Sequence, residues 1–155
     1  MFEFLTGEGD KVFLEWSDKY VTGSKQIDDD HRGLFDVVNH YHKAVHSGDG
    51  EETLDAILDL LDRYIQEHFA REERLMAEIG YKGLNEHRKR HIDLTKAFRA
   101  TRLSYHMSPG DFDADAFLKF LQTWLTQHIL IDDRRFIPYI ERERTIRKEE
   151  LSSLA

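Results

Sequence analysis

Apolar residues recur at steps of three and four through most of this 155-residue chain, and no stretch keeps the period of two that a half-buried strand needs. Only Pro109 and Pro138 interrupt it as prolines. This spacing predicts helices almost throughout. A first helix is expected from about Asp30 to Val45, with Leu34, Phe35, Val38 and Tyr41 on one face. The acidic run Asp28–Asp30 suits its N-terminus, and the turn Ser47-Gly48-Asp49-Gly50 ends it. A second runs from Glu51 to Ile79 and stops at Gly80; a third starts near Asn85 and passes Tyr105. A fourth follows Asp113, carrying Phe117, Leu121, Trp124, Leu125 and Ile129. Short connections between four helices predict an all-α, up-down-up-down antiparallel four-helix bundle. We expect one domain: an irregular arm over residues 1–28, a bundle over about 29–133, and a C-terminal extension over about 134–155 that forms a short helix or a charged tail.

The polar residues that fall on the apolar stripes are the informative ones. The second helix reads Leu54, Leu58, Leu61, Ile65, His68, Glu72, Leu75, Ile79. The third reads Leu84, His87, His91, Leu94, Phe98; the fourth reads Phe117, Leu121, Trp124, His128. On the first, His31 shares a face with Leu34, Phe35 and Val38. Each helix therefore turns imidazole inward, and the second adds a carboxylate. A buried polar group without a partner costs roughly a few kcal/mol, and a charged one costs more. The spacings His68/Glu72 and His87/His91 put each pair on one face, about 6 Å apart along the axis. Two such pairs on facing helices converge on one point. A metal is the partner that satisfies imidazole nitrogen and carboxylate oxygen together. His40, His42, His46 and His106 lie near helix ends or lack a partner on a stripe, although His42 could face inward.

Composition narrows the chemistry. The chain has nine His and no Cys, so disulfides, iron–sulfur clusters, thiolate zinc sites and thiol nucleophiles are excluded. With 22 basic and 30 acidic residues the formal charge is −8. The basic residues are interleaved with acids, which argues against nucleic-acid binding and against docking on an anionic membrane. No apolar run approaches the ~20 residues of a membrane span, and the N-terminus lacks the pattern of a signal peptide. We expect a cytoplasmic protein.

The fourth helix leaves an alternative open. On an ideal helix Asp132, four residues after His128, stays within 40° of its face, whereas Asp133 lies 140° away. Geometry alone prefers Asp132; a helix that unwinds there would admit Asp133. Five His and two carboxylates are too many for one tetrahedral zinc. If both carboxylates bridge, nine protein contacts suit two metals, iron first and then manganese. The Glu-x-x-His pairs of ferritin-like sites are absent, since no His has a Glu three residues before it.

The residues Trp16-Ser-Asp-Lys-Tyr20, Gly23 and Ile27-Asp28-Asp-Asp-His31, with His68-x-x-x-Glu72, His87-x-x-x-His91 and His128-x-x-x-x-Asp133, resemble the hemerythrin family over about residues 12 to 139, in particular its single-domain bacterial members. The resemblance implies two iron ions per chain joined by an oxo or hydroxo bridge. It assigns His87, His91 and His128 to one iron and His31 and His68 to the other, with Glu72 and Asp133 bridging, and so selects Asp133 over Asp132. It further implies reversible dioxygen binding as hydroperoxide on the open iron, in a pocket walled by Phe69, Trp124, Leu125 and Ile129. The expected function is an oxygen carrier, store or local supplier, not an enzyme, with a monomer favoured over a homo-oligomer. The alternatives are an oxygen or redox sensor module and a di-iron enzyme that removes peroxide or nitric oxide.

Overall fold

A computed structural model describes residues 12–107, 109–111 and 113–154. The first part of the expected arm, with Phe2, Phe4, Gly7 and Gly9, lies outside the described residues. Four long helices follow: α1 (Lys25–His46), α2 (Glu51–Glu78), α3 (Leu84–Met107) and α4 (Ala114–Gln127). They pack in a ring, α1 on α2, α2 on α3, α3 on α4 and α4 on α1. Neighbours run in opposite directions. Along the α2–α3 seam the polar cross-links are Asp59–Arg102, Asp62–Arg99, Gln66–Thr95 and Glu73–Arg88, one number rising as the other falls. The four-helix bundle predicted from the apolar spacing is therefore what forms.

Two boundaries differ from expectation. α1 begins at Lys25 rather than near Asp30, because Ser24 caps it by accepting from the Ile27 N–H at 3.3 Å. The acidic run lies inside the helix and serves tertiary contacts. Asp28 accepts from Thr22 N and Thr22 Oγ1, each at 2.8 Å, and so ties down the segment that leads into α1. The C-terminal extension forms a helix, as one of the two expected forms, but a longer one: α5 runs from Ile137 to Ser153, with Pro138 in its first turn, where a missing N–H breaks no helical bond.

Between α4 and α5 the backbone changes gauge. His128–Asp132 form a π-helical turn closed by the Asp133 N–H donating to the His128 carbonyl, and Asp133–Phe136 form a 3-10 turn. Elsewhere the helices pack closely. Gly33 on α1 gives Tyr64 of α2 room to lie against the backbone, where any Cβ would overlap the phenol ring.

Apolar residues form two clusters. The larger holds Leu34, Leu58, Leu61, Leu121 and Leu125 among others. The smaller, Ile27, Met76, Phe136 and Ile140, lies toward α5. A layer of buried imidazole and carboxylate separates them, touched on one side by Phe69 and on the other by Phe136.

Candidate metal centre

Seven polar side chains meet inside the bundle. His31, His68, Glu72 and Asp133 are wholly buried, and His87, His91 and His128 are 4% exposed or less. α1 supplies His31, α2 supplies His68 and Glu72, α3 supplies His87 and His91, and the π turn after α4 brings in His128 and Asp133. The i,i+4 pairs share a face because α2 and α3 are regular there. Asp133 shares a face with His128 because a π turn brings residue i+5 back over residue i. The ideal-helix preference for Asp132 is corrected on this point. The Asp133 carboxylate lies in the cluster, whereas Asp132 turns outward, 3.3 Å from His128 Nδ1 and 3.1 Å from the Arg90 guanidinium.

Each carboxylate divides its two oxygens between two sets of imidazoles. Glu72 Oε1 lies 3.1 Å from His128 Nε2, 3.2 Å from His91 Nε2 and 3.7 Å from His87 Nε2. Its other oxygen lies 3.2 Å from His68 Nε2 and 3.7 Å from His31 Nε2. Asp133 repeats the division: Oδ1 is 3.2 Å from both His87 and His128, and Oδ2 is 2.9 Å from His31. The result is two donor pockets, one with three imidazoles and one with two, sharing both carboxylates.

The donors fit metal better than they fit one another. His31 Nε2, His68 Nε2, His87 Nε2, Glu72 Oε2 and both Asp133 oxygens are buried without a hydrogen-bond partner. They approach to between 2.9 and 3.7 Å but point at a common centre instead of along a donor–acceptor line. Ligands bound at about 2.1 Å to one ion sit about 3.0 Å apart when adjacent and about 4.2 Å when opposite. Left unpaired, each such atom costs about 1–3 kcal/mol.

The charges are coupled. Burial pulls the His68 imidazole down, but the Glu72 charge and the hydrogen bond to Asp30 push it up to about 9. His87 follows the same pattern: burial opposes the proton, the approach of Asp133 and Glu72 favours it, and the result is again about 9. His128 is raised well above the usual histidine range, against its burial, by Asp133 and Glu72. In His91 burial prevails and the pKa falls. Burial would raise Glu72, but His68 and His128 hold it well below the ordinary carboxylate range.

The four expected wall residues are all buried and belong to the larger apolar cluster. Phe69 stacks on His91 at 3.8 Å and meets His128 edge-on at 5.3 Å. Trp124 donates from Nε1 to the Leu94 carbonyl at 3.0 Å, and it also lines a solvent-facing groove of about 390 Å³ with His128, Leu94 and Ile131. The remaining histidines lie apart from the cluster. His42 stacks on Phe13 and lies beside His46, so it does not face inward to the site, and His46 pairs with Asp115. His106, with Glu51 and Asp55, forms a solvated acidic group where α2 begins and α3 ends.

Sequence reasoning missed the shell outside the seven. Asp30, read as a cap, is a partner of His68 Nδ1 at 3.1 Å and of Arg71. The signal was available: Arg71 falls three residues after His68, on the same face of α2, so a buried acid is expected opposite both.

Comparison with known proteins bears on the family of the chain. The family model of the hemerythrin HHE cation binding domain matches residues 22–140. The chain is 32% identical over 129 residues to a bacteriohemerythrin of Clostridium acetobutylicum, covering 79% of this chain and 97% of that one. It is 31% identical over 124 residues to a bacteriohemerythrin of Pseudomonas aeruginosa, covering 80% and 79%. A myohemerythrin of Riftia pachyptila is 28% identical over 114 residues, covering 74% and 82%. The fold superposes on the crystal structure of a hemerythrin point mutant with a TM-score of 0.72 at 25% identity, covering 83% of this chain and 98% of that one. With its four helices, its two donor pockets and its match along residues 22–140, the chain belongs to the hemerythrin family.

Proposed function

We propose that this chain is a reversible dioxygen carrier or store whose non-haem di-iron centre is held by His31, His68, Glu72, His87, His91, His128 and Asp133. Dioxygen binding at a di-iron site rests on membership of the family and on the buried cluster. The observation that carries the finer reading is the division of Glu72 and Asp133 between a three-imidazole pocket and a two-imidazole pocket. Five donors face one side and four the other, so at equal coordination the two-imidazole side would be the one left a position for a small ligand. Held there by these seven residues, two iron ions with an oxo or hydroxo group would supply the two electrons for reversible dioxygen binding.

The chain's own residues do the rest. The two shared carboxylates fix the separation of the pockets and offset the positive charge placed there. Phe69, Trp124, Leu125 and Ile129 wall the site with apolar surface, which keeps water from displacing the ligand. A carrier is favoured over an enzyme because the nearby buried acids are engaged: Asp30 is clamped by Arg71, Asp132 by Arg90, and Asp28 by Thr22. We read the chain as a single domain, monomeric and cytoplasmic. No helix among the described residues is long and apolar enough to cross a membrane.

The test is iron reconstitution under nitrogen followed by titration with air. Two irons per chain are expected, with a visible charge-transfer band that appears in air and vanishes under vacuum. One iron per chain, or immediate oxidation without a reversible band, rejects the carrier. Sustained peroxide or nitric oxide consumption identifies the enzyme instead.

A further inference from the structure

The outer nitrogens of the buried imidazoles are held unequally. His68 Nδ1 lies 3.1 Å from Asp30 Oδ2. Arg71 grips the same carboxylate from both ends, Nε donating to Oδ2 at 2.7 Å and an Nη to Oδ1 at 2.8 Å. In the other pocket His128 Nδ1 lies 3.3 Å from Asp132 Oδ2, and Arg90 donates twice to Asp132 Oδ1, at 3.2 and 3.1 Å. His91 Nδ1 reaches Glu73 only at 3.5 Å, and His31 Nδ1, equally buried, has no hydrogen-bond partner.

Each pocket thus has one imidazole hydrogen-bonded to an arginine-clamped acid; Glu73, held by Arg88 at 3.2 Å, stands behind His91 without a hydrogen bond. In both cases the acid and the arginine come from neighbouring helices, α1 with α2 and the end of α4 with α3. A carboxylate can only accept, so it places the proton on Nδ1 and leaves the Nε2 lone pair facing the cluster. The arginine fixes the carboxylate, and a fixed carboxylate fixes the ring plane. We propose that Asp30 and Asp132, locked by Arg71 and Arg90, are positioning residues that select the tautomer and raise the donor strength of His68 and His128, one imidazole for each metal. This rests on the di-iron reading above. It also gives adjacent residues separate tasks: His31 and Asp133 face inward, while Asp30 and Asp132 support the opposite side of another ligand.

The experiment compares wild type, Asp30→Asn and Asp132→Asn. The metal-free chains are titrated anaerobically with Fe(II) against a competing chelator, and the midpoint potential of each iron-loaded protein is then measured. Each Asn variant is expected to bind one of its two irons about 10–100-fold more weakly. The potential should rise, because a weaker imidazole donor favours the ferrous state, and Asp30→Glu should recover part of the loss. Lower thermal stability with both affinities and the potential unchanged overturns the proposal and leaves the di-iron reading intact. A wild-type chain that takes up no iron overturns both. Should Asp30→Asn fail to fold, Arg71→Lys, which keeps the charge but loses the two-point grip, must move the potential the same way by less; an unchanged potential again overturns the proposal.

Discussion

Exchanging the roles of two adjacent aspartates tests the site most directly, because Asp132 and Asp133 differ in one position of the chain and in everything they touch. Asp133→Ala removes one donor from each pocket, leaving four on the three-imidazole side and three on the other. It also deprives His31 of an oxygen at 2.9 Å and His87 and His128 of one at 3.2 Å. Asp132→Ala removes no donor; it takes away the 3.3 Å contact behind His128 and the partner of Arg90. Outer contacts of that kind change metal affinity about 10–100-fold, or about 1.4–2.8 kcal/mol. If Asp133 is shared by two metals as proposed, its loss has to exceed that range. After anaerobic reconstitution and desalting, iron per chain should stay near that of wild type in Asp132→Ala and fall below one in Asp133→Ala, with helical circular dichroism retained in both. The opposite ranking would show that the π turn is not the working geometry and that an ordinary α-helical turn presents Asp132.

Three further outcomes follow from the same structure. In the chelator-stripped protein His68 and His87 are held at about 9, above the ordinary histidine value of 6.5, so their pairing stabilises the fold fully below pH 6.5 and is lost as pH rises toward 9. Its melting temperature should therefore fall across that window, while metal uptake releases protons; a flat profile refutes the charge assignment. Phe69→Ala should cost about 3–5 kcal/mol in urea unfolding, since it empties a buried position stacked on His91, and should accelerate irreversible oxidation of the iron form. An unchanged oxidation rate removes Phe69 from the pocket wall. Gly33→Ala should stabilise α1 by about 1 kcal/mol only when Tyr64 is also Ala, because the phenol ring occupies the space of the new Cβ. Additive effects in the four-variant cycle would show that Tyr64 swings aside freely.

What could be read from the chain divides along a physical line. Wherever the backbone is a regular helix, spacing alone locates side chains in space. That is why His68 and Glu72, and His87 and His91, could be placed on common inner faces, and why the apolar stripes predicted the bundle. The failures fall where local signals are ambiguous or where the helix departs from its ordinary gauge. Asp28 and Asp30 have the composition of a cap, but a serine already occupies that position, so burial against Thr22 and His68 decides their role. The extension after Pro138 has a weak apolar stripe, and its helix is longer than its pattern promised; Ile140 is its one buried residue.

The π turn is the most instructive departure. Nothing in His128-Ile129-Leu130-Ile131-Asp132 announces it, and each residue there is compatible with an α-helix. A π turn is less favourable than the α turn it replaces, so it survives only where tertiary contacts repay the difference. Here the return is visible on both sides of the peptide between Asp132 and Asp133. An α turn at this point would swing Asp133 away from the cluster and leave the buried nitrogen of His31 without its nearest oxygen. It would also bring Asp132 round from Arg90 toward a site where two imidazoles already share Glu72 Oε1 at 3.1 and 3.2 Å. The wider turn lets consecutive acids face opposite ways, one into the donor cluster and one behind a donor. The departure from regular geometry and the assembly of the cluster are therefore one event, and a sequence rule built on regular geometry fails at this position because the same turn carries the Asp133 carboxylate inward.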